Sequence, residues 1–260
     1  MFKEVTNNGI SYMTATNIHT KHAFTTRFGG VSRGIFESLN LGLSLGDDTG
    51  SVKENYSLIC GALAIDEKAL VRTNQVHGAL IRVVSSEDRG KIYLTPDHES
   101  DGLATRETGV ALIVYTGDCV PILLHDPVKN AIGAVHAGWR GTTADIAGAA
   151  VKKMSDEFGC SPENIKAAIG PCISRCCYET GRDVTDSLVK ALGTEADRCI
   201  SERGGKYMVD LKEANRHMLV RAGLTDITIS DECTSCSSDK YWSHRKTKGR
   251  RGSQAAIIAL

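Results

Sequence analysis

Two side chains able to do chemistry stand close together in this chain. In Tyr115-Thr-Gly-Asp-Cys-Val-Pro-Ile-Leu-Leu-His-Asp-Pro-Val-Lys-Asn-Ala-Ile-Gly-Ala-Val-His-Ala-Gly-Trp-Arg-Gly141, Cys119 and His136 close the ends of two apolar segments joined by a short polar turn. Both segments read as buried strands, so the sulfur and the imidazole can emerge at one edge of one sheet. A soft sulfur beside an imidazole suits either a metal ion or a thiol–imidazole pair. A third donor lies upstream, where Asn74-Gln-Val-His-Gly78 sets His77 just after an apolar segment and before a glycine. His77, Cys119 and His136 would give zinc two imidazoles and one thiolate, with a fourth position left for water or substrate. Their separations of 42 and 17 residues match no compact finger, so the fold itself must bring them together.

Groups that could hold an anion lie nearby. Gly138-Trp-Arg-Gly-Thr142 leads into a helix start, where free N–H groups and the Arg140 guanidinium suit a phosphate or carboxylate. Thr25-Thr-Arg-Phe-Gly-Gly-Val-Ser32 is a second glycine-bearing turn, carrying Arg27, and fits neither a Walker nor a dinucleotide fingerprint. The basic segment Trp242-Ser-His-Arg-Lys-Thr-Lys-Gly-Arg-Arg-Gly252 brings Arg245 toward the same region, or else forms a solvated loop. Cys172-Ile-Ser-Arg-Cys-Cys177 and Cys233-Thr-Ser-Cys236 can be read as a thiolate site. Neither flanks a compact zinc-ribbon pair, and the reading favours buried thiols near the pocket.

The elements that must position these residues are legible as periodicity. Apolar β-branched runs at 110–115, 121–124, 131–135, 165–169 and 226–230 read as strands, and Ala255–Leu260 as a C-terminal strand within a sheet. Ser51-Val-Lys-Glu54 matches a capping box ahead of Val52, Tyr56, Ile59 and Leu63 on one helix face. Thr143 reads as the cap of a helix whose Ile146, Ala150, Val151, Met154 and Phe158 share a face, ended by Gly159. Leu211, Asn215, Met218, Leu219 and Ala222 mark another, ended by Gly223. Strands and helices mix along the whole length, so the class is α/β or α+β.

Bulk properties narrow the function. A length of 260 residues suits one large domain or two fused halves, and without repeat, low-complexity tract or linker the chain reads as a single domain, 1–260. Lys and Arg number 31, as do Asp and Glu, which argues against a general attraction to nucleic acid or anionic membrane. The longest apolar run, Val110–Tyr115, is far short of a membrane span, and the N-terminus lacks the apolar core of a signal peptide; the expected location is cytoplasmic. Nine cysteines in a reducing compartment are more often buried thiols or ligands than disulfides. Eight histidines without a His-x-His pair disfavour a trinuclear copper cluster, leaving a single copper on His77, Cys119 and His136 as the alternative to zinc.

The order of motifs is itself informative. Asn74-Gln-Val-His-Gly, Ser100-Asp-Gly, Thr116-Gly-Asp-Cys-Val-Pro-Ile, Ala134-Val-His-Ala-Gly-Trp-Arg-Gly, Gly170-Pro-Cys-Ile-Ser, Cys177-Tyr-Glu and Ser243-His-Arg follow one another from Thr25 onward. In this the chain resembles the multicopper polyphenol oxidase-like (laccase-domain) family, the YlmD/YfiH-type purine nucleoside phosphorylases. The resemblance implies a four-layer α/β/β/α sandwich with mixed sheets and a zinc site on His77, Cys119 and His136. It also implies phosphorolysis of adenosine, inosine and methylthioadenosine, with adenosine deamination. Some bacterial members are assigned instead to peptidoglycan editing on a muramyl–amino acid precursor. Two departures stand out: Ser253 follows Gly252 where the family has arginine, a role left to Arg250 or Arg251, and Ser174 stands where glycine is common.

On that resemblance His77, Cys119 and His136 are the catalytic and metal residues. Arg27, Asn40, Arg140, Glu179 and Arg245 are candidates for nucleoside and phosphate, with the backbone near Gly138. Asp118 and Glu179 are the motif-based candidates for a proton shuttle, and Asp101 and Asn40 for supporting or substrate contacts. The partners expected are a small nucleoside and phosphate, with oligomeric state left open. A cysteine hydrolase using Cys119 as nucleophile and His136 as base, or a binding module without turnover, are the competing classes.

Overall fold

A computed structural model describes residues 1–260. In chain order its elements are β1 (Phe2–Asn7), β2 (Ile10–Ala15), β3 (Lys21–Thr25), α1 (Thr49–Leu63), β4 (Leu70–Val71), β5 (Ile81–Val83), β6 (Gly102–Thr105), β7 (Ala111–Thr116), β8 (Val120–Asp126), β9 (Ala131–Ala137), α2 (Trp139–Thr143), α3 (Ile146–Phe158), β10 (Lys166–Ile169) and β11 (Glu179–Thr180). There follow α4 (Arg182–Leu192), α5 (Ala196–Cys199), β12 (Ile200–Arg203), β13 (Lys206–Val209), α6 (Leu211–Arg221), β14 (Asp226–Ile229), α7 (His244–Thr247) and β15 (Gln254–Ala259). Every strand expected from the apolar runs is present, shifted by a residue or two at its ends.

The strands form two six-stranded mixed sheets, β1-β2-β3-β15-β7-β4 and β14-β10-β8-β9-β6-β5, with a small sheet β11-β13-β12 beside them. Successive side chains of a strand point to opposite faces, so continuous apolar runs mean that both faces are covered. In β15, Ala255, Ile257 and Ala259 join Val52, Tyr56, Ile59 and Leu63 of α1 in one core. The alternate residues Ala256 and Ile258 meet Leu123 of β8 and Ile132 and Ala134 of β9 in a second core between the sheets. On the far face Ile122 and Leu124 pack with Ile146, Val151 and Met154 of α3, Leu188 of α4 and Met218 of α6. The layers are therefore helix, sheet, sheet, helix, as the family resemblance implied.

Two features of this sandwich place the site. β8 and β9 form an antiparallel hairpin in which Pro121 pairs with His136 and Val120 with Ala137, so Cys119 and His136 share one sheet edge. Asp126 builds its turn by accepting from the N–H groups of Val128 and Lys129. Residues Gly117–Cys119 connect β7 of the first sheet to β8 of the second, a short bridge across the layers.

Two expected helix starts are corrected. The cap of α1 is Asp48, whose carboxylate accepts from the Ser51 N–H, so Ser51 lies inside the helix and forms no capping box. The helix expected after Thr143 is preceded by the short α2, whose last residue is Thr143. Its true cap is Asp145, which accepts from the Gly148 N–H and sits at φ 57°. Thr143 instead donates to the Arg140 carbonyl. An Asp-to-Ala change at a cap typically costs about 1 kcal/mol, and the left-handed conformation adds to it. Asp145→Ala should thus lower the melting temperature by several degrees, with Asn largely restoring it and Thr143→Ala nearly silent. Equal loss in both alanine variants, read by thermal denaturation, would return the cap to Thr143.

Candidate metal centre and cleft

The bridge and the hairpin bring the three donors together. The ligand atoms of His77, Cys119 and His136 all lie within 4.8 Å of one another. The Cys119 Sγ is 3.8 Å from His77 Nε2, and the two imidazole rings meet edge-on with centroids 4.8 Å apart. Zinc bonds of roughly 2.3 Å to sulfur and 2.0–2.1 Å to nitrogen put tetrahedral S and N donors about 3.5 Å apart, so the Cys119–His77 pair is near the spacing that one ion needs. His136 is buried, Cys119 half-buried and His77 exposed, so the trio is reached from the solvent side. Gly138 is required for this closeness: a Cβ there would stand 2.8 Å from His77 Cδ2 and 3.4 Å from the Cys119 sulfur.

A single carboxylate orders two of the three ligands. Asp101, fully buried, accepts from the backbone N–H groups of Val76, His77 and Gly78 at 3.1, 2.9 and 2.6 Å. Its Oδ1 also accepts from His136 Nδ1 at 2.8 Å. This fixes the tautomer of His136, with Nδ1 protonated and Nε2 turned to the cysteine, the arrangement by which carboxylates support metal-bound histidines. It also holds His77 at a positive φ of 62°. Gln75 ties the same loop to β7 by exchanging two hydrogen bonds with the Tyr115 backbone.

Electrostatics follow from this packing. Burial pushes the Cys119 thiol up, but the adjoining His136 and His77 imidazoles outweigh it and bring it down to about 6. Burial likewise disfavours the charged form of His136, yet the Cys119 thiolate and Asp101 raise it to about 9. Without metal the pair is therefore a thiolate and an imidazolium near neutrality. A metal ion would displace the imidazolium proton and take the thiolate ready-made.

The trio opens on a cleft of about 540 Å³, lined also by Arg72, Asn74, Asp118, Tyr178, His244, Arg245, Arg251 and Ser253. Of the sequence candidates, Asp118, Arg245 and Arg251 join the metal residues in this lining, and Arg27, Asn40, Arg140 and Glu179 do not. The Arg245 guanidinium donates to the Cys177 and Glu179 carbonyls and lies over Tyr178, so it shapes the wall. Arg27 is spent on the carbonyls of Glu37 and Ser238 and stacks on Trp242, away from the cleft. Arg140 is exposed, its guanidinium over the Trp139 ring. Glu179 turns to Lys206 at 2.8 Å. Asn40 is buried and holds Gly42 N–H, Ser253 N–H and Asp47, which makes it a support for Ser253. Asp118, at φ 123°, accepts from Thr234 Oγ1 and from the Arg245 N–H, both at 2.6 Å, so both carboxylate oxygens are engaged in bracing the wall.

The residue that sequence reasoning half-saw is Arg251. It points inward across Gly117, whose absent Cβ would lie 2.2 Å from the guanidinium carbon. Its Nη1 donates to the Gly252 carbonyl and Ser253 Oγ, while its buried Nε has no partner. Of the two arginines left open for the tail, Arg251 is thus the one in the cleft. Nothing in the local sequence singles out Arg72 or decides between Arg250 and Arg251, because a cleft arginine and a surface one look alike there.

Two outcomes test this geometry. Asp101→Asn should weaken metal binding about 10- to 100-fold in a chelator competition, the usual effect of losing such a support; unchanged affinity would remove Asp101 from that role. In the metal-free chain, Cys119 alkylation should persist as pH falls and drop only near pH 6. The thiol's value is lowered, so its thiolate is present above that point and lost below it. A midpoint near the ordinary ~8.5 would deny the imidazole partnership.

Known proteins bear on this site. The sequence pattern described as multi-copper polyphenol oxidoreductase laccase matches residues 21–260. A Geobacillus stearothermophilus protein named purine nucleoside phosphorylase YlmD is 41% identical over 90% of this chain and 88% of its own length. A purine nucleoside phosphorylase of Deinococcus radiodurans is 39% identical over 97% of this chain and 94% of its own. The crystal structure of YlmD from Geobacillus stearothermophilus superposes with a TM-score of 0.91 at 38% identity, covering 98% of this chain and 97% of the other. That of Bacillus licheniformis YfiH gives 0.91 at 34%, covering 97% and 96%. The chain therefore belongs to the multi-copper polyphenol oxidoreductase laccase family, among the relatives that carry the name purine nucleoside phosphorylase.

Proposed function

We propose that this protein is a zinc-dependent purine nucleoside phosphorylase acting on adenosine, inosine and methylthioadenosine, with adenosine deamination at the same site. The observation that carries the reading is a soft-donor trio of two imidazoles and one thiol opening on an arginine-lined cleft in a chain of zero net charge. Arg251 faces this cleft with Arg72 and Arg245, whose guanidinium groups are bonded to backbone carbonyls, against the single carboxylate of Asp118, which is itself engaged. Such a lining favours an anionic co-substrate such as orthophosphate.

Phosphorolysis displaces the purine from C1′ of the ribose by a phosphate oxygen, so the site must hold the anion and stabilise the departing base. Arg251 is the anion-side residue, its guanidinium lying in the space that Gly117 leaves free of a side chain and its Nε without a protein partner. It replaces Arg27 and Arg140 in that role. Tyr178 offers a ring on which a purine can stack. His244, whose imidazole makes no hydrogen bond to the protein, is the titratable group available to give the leaving base its proton. It takes the place of Asp118 and Glu179. Bound by His77, Cys119 and His136, zinc would supply Lewis-acid polarisation of a substrate group.

The test is incubation of metal-analysed protein with adenosine and inosine, with and without phosphate. Free base should appear only with phosphate, and inosine should form from adenosine without it. Cys119→Ala should abolish metal retention and turnover together. Arg251→Met should raise the phosphate KM at least tenfold with the bound metal unchanged, an effect of about 1.4 kcal/mol or more. No turnover of either nucleoside by metal-replete protein, with cleavage of a muramyl–amino acid conjugate, would overturn the assignment.

A further inference from the structure

A second cluster of metal-ligating side chains lies behind the cleft wall. The sulfurs of Cys176, Cys177, Cys233 and Cys236 all fall within 4.8 Å of one another. The expectation that these are buried thiols holds only for Cys233: Cys176 and Cys236 are exposed and Cys177 is half-buried. Cys236 sits 3.5 Å from the Cys176 sulfur and 3.4 Å from that of Cys177, so it has no single partner. All four are free thiols, and the arrangement is a four-way convergence.

We propose that Cys176, Cys177, Cys233 and Cys236 form a closed tetrathiolate site for one thiophilic divalent ion of the zinc class, distinct from the His77–Cys119–His136 centre. Zinc–sulfur bonds of roughly 2.3 Å place the sulfurs of a tetrahedral site about 3.8 Å apart, which the four thiols approach. Thiolates this close leave room for one ion and none for an iron–sulfur cluster, whose ligands stand farther apart. The surroundings suit bound thiolates. The Ser174 N–H donates to the Cys233 sulfur at 3.3 Å. The guanidinium groups of Arg203 and Arg245 donate to the carbonyls of Cys176 and Cys177, setting positive charge beside a centre that four thiolates make net negative. With four protein ligands the site has no open position, so its role is structural.

Its place in the fold gives that role content. The ion would join the turn at Ser174–Tyr178 to the turn at Cys233–Cys236, which otherwise meet through the Cys172–Cys233 bridge and the Thr234 N–H to the Cys172 carbonyl. Thr234 then braces Asp118 beside the ligand Cys119, and Tyr178 lines the cleft. The tetrathiolate would thus staple the wall against which substrate binds.

The test uses the full chain purified under reducing, anaerobic conditions with zinc. About two zinc equivalents per chain are expected, falling to one in Cys236→Ser and to one in His136→Ala. Cobalt-exchanged Cys236→Ser should lose the intense sulfur-to-cobalt charge-transfer band of a tetrathiolate while keeping metal at the other centre. Should that variant fail to fold, alkylation mapping on the wild-type chain decides. Cys176, Cys177, Cys233 and Cys236 should resist the reagent until a chelator is added, then react together. Rapid alkylation of the four in zinc-replete protein, or their recovery as a disulfide, would overturn the proposal whatever is found at Cys119.

Discussion

The structure depends on one buried carboxylate. Asp101 has no solvent, and an isolated charge there would cost several kcal/mol. Four donors offset that cost: three consecutive backbone N–H groups of the His77 loop and the Nδ1–H of His136. Burial alone would raise its pKa, but His136 and the Gly78 and His77 N–H groups hold it below the usual carboxylate value. The same bonds that satisfy the charge fix the loop conformation and the imidazole tautomer. Remove the carboxylate and both histidines lose their aim.

The ligands come from far apart in sequence because they sit where the chain passes between layers. His77 lies between β4 of the first sheet and β5 of the second, and Cys119 between β7 and β8 in the same sense. His136 ends β9, beside β8. The candidate metal centre therefore occupies a seam of the sandwich, and its geometry is underwritten by the apolar packing between the sheets. Leu123, Ile132 and Ala134 beneath it set the spacing that side-chain chemistry alone would not hold.

What was legible in the sequence follows from range. Strand periodicity is local, and the runs at 121–124 and 131–135 announced the hairpin that carries Cys119 and His136. Donor type is also local, so the metal trio and the supporting place of Asp101 were within reach. The fate of long polar side chains was not. Arg27, Arg140 and Glu179 sit in promising motifs, yet partners remote in sequence or a neighbouring ring take up each one. Arg251 reaches the cleft because Gly117 leaves space for it, a relation spanning most of the second half of the chain. The caps at Asp48 and Asp145 were missed because equally good capping residues stood a few positions away. The cysteine pairs lacked zinc-ribbon spacing because two turns packed across the fold, and no single hairpin, bring them together.

The cleft's positive lining also sets the range over which a charged substrate can feel it. Because acidic and basic residues balance over the whole chain, there is little far field to guide an anion from bulk solution. The attraction of Arg72, Arg245 and Arg251 is confined to about a Debye length, roughly 8 Å at physiological ionic strength. An anion approaching the cleft would therefore arrive by ordinary diffusion and feel these side chains only at the mouth. Added salt would then act chiefly on how long a bound anion stays, and little on how often one arrives.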